Sequence, residues 1–265
     1  MTSWTRGVCE TNGVEAHYLR TGGGGPPIVL LHGLTGSGAC WTPVARVLEA
    51  DADVVMPDAR GHGGSSAPAS GHGYDELAGD VVGLVRGLGL ARPVLLGHSM
   101  GGLTAAVVGR REPGLVRALV LVDPTFLDAD RQREVFDSDV AEQHRRTVAV
   151  PRPQLVAQLA ARHPQRSREL LELLADARRA THLGAFDVLR PPNPDFRALV
   201  RALEVPLLLV IGDTSPVVTP ALAAELQRLN ARVQVEQVTG AGHGLPFDQP
   251  ERLGAIVAAF VRELP

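Results

Sequence analysis

Ser99 lies at the centre of residues 97–101, whose sequence GHSMG has the pattern G-x-S-x-G. The apolar run 94–96 before it is typical of a buried strand, and residues 99–111 after it are typical of a helix with a small apolar face. A strand-to-helix turn of this kind strains the serine backbone and holds its hydroxyl clear of the sheet. The hydroxyl then lies at a helix N-terminus, where backbone N–H groups face a developing negative charge. The sequence therefore predicts that Ser99 is a nucleophile rather than an N-cap residue.

Buried strands alternate with amphipathic helices along most of the chain. A hairpin is predicted around Asn12-Gly13. Strands are predicted at 28–31, 54–56, 94–96, 118–122, 206–211 and 233–238, and helices at 42–49, 75–88, 99–111, 220–229 and 251–264. This alternation predicts an α/β fold with a mostly parallel sheet covered by helices on both faces.

Residues 125–203 interrupt the alternation. They contain no predicted strand, many arginines, and leucines whose spacing favours short amphipathic helices. Because ordinary crossovers are much shorter, we interpret them as a helical lid inserted into a core made of residues 1–124 and 204–265.

Composition excludes several classes of function. The 265 residues carry a net charge of −3, which favours neither nucleic acid nor a membrane surface as a partner. The N-terminus has no apolar signal segment and no run is long enough to cross a bilayer, so we expect a cytoplasmic protein. Cys9 and Cys40 are expected to be free, buried thiols. No metal-ligand or phosphate-loop motif occurs, so no cofactor is expected.

Four motifs in sequence order resemble the α/β-hydrolase family over nearly the whole chain. They are His32-Gly33 after a strand, the segment 58–65 (Asp-x-Arg-Gly-His-Gly-x-Ser), the pentapeptide 97–101, and Gly240-x-Gly242-His243 near the C-terminus. The resemblance implies the α/β-hydrolase fold with a serine nucleophile. It also implies a helical cap and no cofactor.

A serine hydroxyl needs a base within hydrogen-bond reach, and the resemblance assigns that role to His243. The other eight histidines have simpler interpretations. His32, His62 and His98 belong to loop and turn motifs. The remaining ones, at 17, 72, 144, 163 and 182, are expected on the surface or in the lid.

The acid of the triad departs from the family pattern. Most relatives place an Asp three residues after the glycine that ends the penultimate strand, and here that position is Ser215. Asp123, at the tip of strand 118–122, is the favoured replacement, because some branches, haloalkane dehalogenases among them, carry the acid there. Asp213 is the alternative, and a chain with no working acid is the third possibility. Asp58 is interpreted as a structural turn residue.

The resemblance places the oxyanion hole at the backbone N–H groups of Leu34 and Met100. Lid residues are expected to face the nucleophile. An apolar pocket wall is predicted from Phe126, Leu127, Phe136, Phe186 and Leu189. The lid arginines could bind a carboxylate, but a solvated helix face is the favoured interpretation.

The sequence predicts a cofactor-free serine hydrolase, monomeric or homodimeric, that acts on a small molecule with a carbonyl group. Esters, thioesters and lactones are the expected substrates, cleaved through an acyl-enzyme. A ligand-binding or signalling role with slow hydrolysis is the alternative, motivated by Ser215. Other chemistry in the same pocket is a third possibility: hydrolysis of a carbon–carbon bond, perhydrolysis or cofactor-free oxygenation.

Overall fold

An eight-stranded sheet forms the middle layer of the computed structural model, which describes residues 4–264. The strands are β1 (Thr5–Thr11), β2 (Val14–Arg20), β3 (Pro27–Leu31), β4 (Asp53–Pro57), β5 (Val94–His98), β6 (Ala118–Val122), β7 (Leu207–Gly212) and β8 (Val233–Val238). Their order is β1-β2-β4-β3-β5-β6-β7-β8. The pairs β1/β2 and β2/β4 are antiparallel, and the remaining pairs are parallel.

Helices cover both faces of this sheet. They are α1 (Thr42–Leu48), α2 (Tyr74–Gly87), α3 (Met100–Arg111), α4 (Ala129–Asp137), α5 (Val140–Val148), α6 (Arg152–Arg162), α7 (Arg168–Arg179), α8 (Phe196–Arg201), α9 (Pro220–Leu229), α10 (Leu245–Asp248) and α11 (Pro250–Glu263). Short 3₁₀ helices span Gly38–Trp41 and Leu183–Leu189. Helices α1 and α11 pack together on one face, and α2 packs with α3 on the other.

The central strands are buried along their whole length, which explains why they are continuous apolar runs. The predicted α/β fold with a mostly parallel sheet between two helical layers is confirmed. The predicted end of β5 at residue 96 is wrong by two residues. Gly97 and His98 still pair with Leu121 and Val122 of β6, so the strand continues to the residue before Ser99. Helix α3 correspondingly begins at Met100 rather than at Ser99.

Residues 125–203, called the insertion below, lie between β6 and β7 and contain α4 to α8. Leucines of α6 and α7 form a separate apolar cluster with Cys40 of the core. Helix α8 packs against α3 and α9, so the C-terminal part of the insertion joins a core helical layer. Cys9 and Cys40 are free and buried, as predicted. Within residues 4–264, no helix has the length and apolar character needed to cross a membrane.

Candidate active site

Ser99 occupies a strained turn between β5 and α3. Its backbone angles are φ 53° and ψ −117°, a conformation that L-residues rarely adopt. The Ser99 N–H donates to the Val122 carbonyl at 3.1 Å, which fixes the turn to β6. A Cβ at Gly97 would lie 2.1 Å from the Gly101 oxygen, and one at Gly101 would lie 2.2 Å from the Leu31 oxygen. The two glycines of the motif are therefore required by close backbone approach.

Three predicted side chains meet at the carboxyl edge of the sheet. His243 Nε2 lies 3.1 Å from Ser99 Oγ, and its Nδ1 lies 2.6 Å from Asp123 Oδ2. An ionised carboxylate only accepts hydrogen bonds, so Nδ1 carries the proton and donates to Asp123. In the neutral ring Nε2 is then an acceptor for the Ser99 hydroxyl. The arrangement can move a proton from Ser99 to His243 while Asp123 orients the ring.

Asp123 is fully buried, whereas the His243 side chain is 42% exposed. The Asp123 carboxylate accepts backbone N–H groups from Val217 at 3.0 Å and from Val218 at 2.8 Å, in addition to His243. These three donors satisfy a carboxylate that burial would otherwise destabilise. The two valine amides come from the loop after β7, and they could not be identified from the sequence because backbone donors have no side-chain signature.

Asp213, the alternative acid, does not contact His243. It is exposed, and its Oδ1 accepts from the Gly240 N–H at 2.8 Å and from the Thr214 hydroxyl at 3.1 Å. These contacts tie the loop after β7 to the loop that carries His243. The structure therefore brings Asp123, and not Asp213, to the histidine.

His98 supports the loop of His243 rather than only the turn around Ser99. Its Nε2 lies 2.7 Å from the His243 carbonyl oxygen, which can only accept, so Nε2 is the donor. The His98 Nδ1 is buried without a hydrogen-bond partner in the described chain. Burial, together with the nearby charge of His243, lowers the pKa of His98 to about 3. The ring therefore stays neutral and holds His243 in place without competing for protons.

Thr125 is a second contact of the nucleophile that the sequence analysis missed. Its Oγ1 lies 3.3 Å from Ser99 Oγ. Both groups are hydroxyls, so either one can donate in this contact. The only signal in the sequence is its position just beyond the end of β6, next to Asp123.

Leu34 and Met100, the predicted oxyanion residues, both line the cavity that contains Ser99. Met100 is the first residue of α3, and N–H groups in a first helical turn have no partner within the helix. A Cβ on the neighbouring Gly33 would lie 3.1 Å from Ser99 Cβ, so the loop approaches the nucleophile closely. Leu34 and Met100 therefore border the space beside Ser99, where the oxyanion hole is expected.

A cavity of about 420 Å³ opens over Ser99 and His243. Its other lining residues are Leu34, Tyr74, Met100, Thr125, Leu127, Arg131, Val135, Val188, Leu189, Ser215, Pro216 and Val217. Leu127 and Leu189 lie in the wall, as predicted.

The three phenylalanines predicted for the wall pack elsewhere. Phe126 stacks on Phe196 at 5.0 Å between ring centroids. Phe186 packs on His144 at 4.8 Å, and Phe136 lies under the Arg190 guanidinium. Their partners, Phe196, His144 and Arg190, all lie in residues 125–203, so these aromatic side chains pack within that segment rather than at the cavity.

The remaining motif residues hold loops. Asp58 accepts from the Gly38 N–H at 2.7 Å and from the Gly64 N–H at 2.9 Å, as expected of a structural turn residue. His32 Nε2 accepts from the Ala59 N–H at 3.0 Å.

His72, expected on the surface or in the lid, is buried, because the 3₁₀ helix Leu183–Leu189 packs over it. Within residues 4–264, no group of three His, Cys, Asp or Glu side chains is arranged to hold a metal ion.

The chain is similar to several known proteins. A family model described as "alpha/beta hydrolase fold" matches residues 26–250. The chain is 33% identical over 262 residues to the N-formylmaleamate deformylase of Pseudomonas putida, covering 96% of this chain and 94% of that protein. It is 28% identical over 249 residues to the 2-(acetamidomethylene)succinate hydrolase of Mesorhizobium japonicum, covering 88% and 87%. A crystal structure of E-2-(acetamidomethylene)succinate hydrolase has the same fold, with a TM-score of 0.84 at 23% identity over 98% of this chain and 100% of that one.

Proposed function

This chain belongs to the α/β-hydrolase fold family, whose relatives named above are hydrolases, and we propose that it is a serine hydrolase with Ser99, His243 and Asp123 as its catalytic triad. The observation that carries the proposal is the unbroken relay from buried Asp123 through His243 to Ser99, at 2.6 and 3.1 Å. A ligand-binding protein of this fold has no need of that relay. The replacement of the usual acid by Ser215 does not weaken it, because Asp123 supplies the carboxylate from the neighbouring strand.

The reaction proceeds in two halves. Ser99 Oγ attacks the substrate carbonyl while its proton passes to His243 Nε2, and Asp123 stabilises the imidazolium. The oxyanion accepts hydrogen bonds from the amides of Leu34 and Met100, each worth about 3 kcal/mol at the transition state. His243 then protonates the leaving group, which departs and leaves an acyl ester on Ser99. Water, deprotonated by His243, releases the acid and restores the hydroxyl.

We propose a small molecule with a carbonyl group as the substrate, in the form of an ester, thioester or lactone. A second candidate is an N-acyl bond, because the relative at 33% identity is named a deformylase of N-formylmaleamate. The insertion serves as the cap over the cavity in this proposal, since Leu127, Leu189 and Arg131 come from it. The protein is proposed to act in the cytoplasm.

A substrate panel tests the proposal. Purified wild type and the Ser99→Ala variant are assayed with para-nitrophenyl acetate, a thioester, a lactone and an N-formyl amide. We expect at least one class to be hydrolysed, with kcat in the variant lower by about 10³-fold or more. Equal rates for the two proteins on every hydrolysed compound would contradict the proposal.

A further inference from the structure

Arg131 is the permanently charged residue in the wall of the catalytic cavity. It lies on α4, one helical turn before Val135, and both residues line the cavity together with Leu127. The other described lining residues are apolar, carry a hydroxyl group, or belong to the triad. A guanidinium in such a wall is a specific recognition element, because a single charge dominates the potential of a largely apolar cavity.

The hydrogen bonds of Arg131 leave most of its donors available. Its Nη1 contacts Glu134 Oε2 at 2.6 Å, and the two side chains are 65% and 62% exposed. An exposed pair between residues three apart has a small net energy, so a better placed carboxylate can displace it. A guanidinium has five N–H donors in a planar fork that matches a carboxylate with two parallel hydrogen bonds.

The neighbouring Arg133 gives a contrast on the same helix. It pairs with Asp130 in the same exposed manner, but it does not line the cavity. Helix α4 therefore presents one arginine to the cavity and one to solvent. Arg131 thus borders the cavity although its side chain is 65% exposed, so the carboxylate-binding alternative for the insertion arginines applies to this residue.

We propose that Arg131 binds a carboxylate of the substrate. The compound hydrolysed at Ser99 then carries two groups, a free carboxylate that binds Arg131 and the acyl group that reacts. The proposal rests on the proposed function and adds the substrate class to it. One cation matches the single charge of a carboxylate, whereas a phosphate carries nearly two charges and would need a second basic side chain. The carboxylate at Arg131 then sets the direction in which the reacting carbonyl enters the cavity towards Ser99.

The kinetic test compares acidic substrates with neutral ones of the same shape. The probes are the para-nitrophenyl half-esters of succinate, glutarate and adipate, and the methyl esters of the same half-esters, with the rate of Ser99→Ala subtracted. We expect wild type to prefer the best acid over its methyl ester by about 10-fold or more in kcat/KM. Arg131→Gln should remove that preference through KM, with the methyl ester changed less than about twofold.

Three further variants sharpen the test. Arg133→Gln removes an arginine of the same helix outside the cavity, and it should leave the preference unchanged. Glu134→Gln removes the competing carboxylate, and it should keep or raise the preference for the acid. Arg131→Lys keeps the charge but loses the planar fork, and it should show an intermediate preference. A wild type that does not discriminate, or an Arg131→Gln variant that keeps the preference, would overturn the proposal.

A binding measurement separates this proposal from the proposed function. Calorimetric titration of Ser99→Ala with glutarate, adipate and inorganic phosphate needs no hydrolysis. We expect one of the diacids to bind, and binding to weaken by about 10-fold or more when Arg131→Gln is added. If Ser99 proves inactive, this dependence on Arg131 still supports the carboxylate site. Undetectable diacid binding, equal binding with and without Arg131, or tighter binding of phosphate would overturn the assignment of a carboxylate.

Discussion

Asp123 shows how a triad can keep its geometry when the acid stands on another strand. Strands β6 and β7 are neighbours, so the loops that follow them reach the same point under His243. Here the loop after β7 supplies the Val217 and Val218 amides to the carboxylate from β6. The position that is Ser215 in this chain lines the cavity instead, next to His243.

Replacing Asp123 should be far more damaging than replacing Asp213. Asp123→Asn keeps the volume but favours the wrong tautomer of His243, and turnover should fall by about 10⁴-fold. Asp213→Asn is the matched control, because it alters a carboxylate of the same site that does not touch His243, and kcat should stay within a few-fold of wild type. Steady-state kinetics on any hydrolysed ester measures both. Equal activity of Asp123→Asn and wild type would exclude Asp123 as the acid.

The buried histidines make the stability of the protein sensitive to acid. Burial, followed by the charge of His32, lowers the pKa of His62 to about 3, and the pKa of His98 is also lowered to about 3. Both stay neutral in the folded chain, whereas in the unfolded chain they bind protons below about pH 6.5. Their contribution to stability is therefore complete above about pH 6.5. It falls as the pH drops towards 3, by about 1.4 kcal/mol per pH unit for each histidine.

His98→Gln isolates one of these contributions. The glutamine amide can still donate to the His243 carbonyl but does not titrate. The free energy of unfolding, measured with urea between about pH 7 and pH 4, should fall less steeply in the variant. The difference between the two slopes should correspond to the uptake of about one proton on unfolding. The same slope in wild type and variant would contradict the neutral, buried assignment of His98.

Among the single elements, the turn between β5 and α3 has a strained backbone, and this conformation positions the Ser99 hydroxyl. A non-glycine residue in such a conformation costs about 1–3 kcal/mol. The surrounding contacts, including the Ser99 N–H to Val122 bond, hold the turn against that cost.

The strain can be measured with two variants that both lack the hydroxyl. Ser99→Gly should be more stable to guanidinium unfolding than Ser99→Ala by about 1 kcal/mol, because glycine adopts a positive φ without a Cβ clash. The two variants differ by one methyl group, so Ser99→Ala is the matched reference for Ser99→Gly. Equal stability, or a more stable alanine variant, would show that the turn is not strained.

The elements that could be predicted with their observed bounds are those that carry a local signal in the sequence. Strand β6 and helix α9 were predicted with the observed bounds, because an uninterrupted apolar run and a Pro-initiated amphipathic segment are local signals. The end of β5 was missed because Gly97 and His98 look like turn residues, and only pairing with β6 keeps them in the strand.

The orientation of the insertion helices could not be predicted in the same way. The heptad-like spacing of leucines indicates which face of α7 is buried, but not which residues of α4 face Ser99. Phe126, Phe136 and Phe186 were therefore placed wrongly in the cavity wall, and the arginine that lines the cavity could not be distinguished from the other arginines of the insertion. Ser99 could be chosen from its local motif, whereas His243 and Asp123 were chosen through the resemblance to the α/β-hydrolase family.

In the whole molecule, the insertion is joined to the core next to His243. Arg166, between α6 and α7, donates to Asp248 at 2.7 Å, and its guanidinium lies 5.4 Å from the centre of the Phe247 ring. Both partners belong to α10, which begins two residues after His243. The Arg166 and Asp248 side chains are only 6% and 18% exposed.

Loss of this contact should destabilise the protein far more than loss of an exposed one. Arg166→Met leaves the largely buried Asp248 carboxylate, which also accepts from Gln165, without its charged partner and should lower the free energy of unfolding by about 3 kcal/mol. Arg46→Met breaks the ion pair with Glu169, whose side chains are 53% and 51% exposed, and should cost less than about 1 kcal/mol. Urea unfolding of the two variants provides the comparison. A smaller loss for Arg166→Met than for Arg46→Met would mean that the insertion is not held to the core at α10.

Activation of Ser99 as a nucleophile can be measured by intact mass after exposure to a fluorophosphonate. The reagent phosphonylates serines whose hydroxyl is deprotonated by a neighbouring base, and it needs no knowledge of the substrate. We expect one adduct per molecule on wild type, none on Ser99→Ala, and much slower labelling of His243→Gln. A folded wild type that remains unlabelled, or an adduct that persists on Ser99→Ala, would contradict the activation of Ser99.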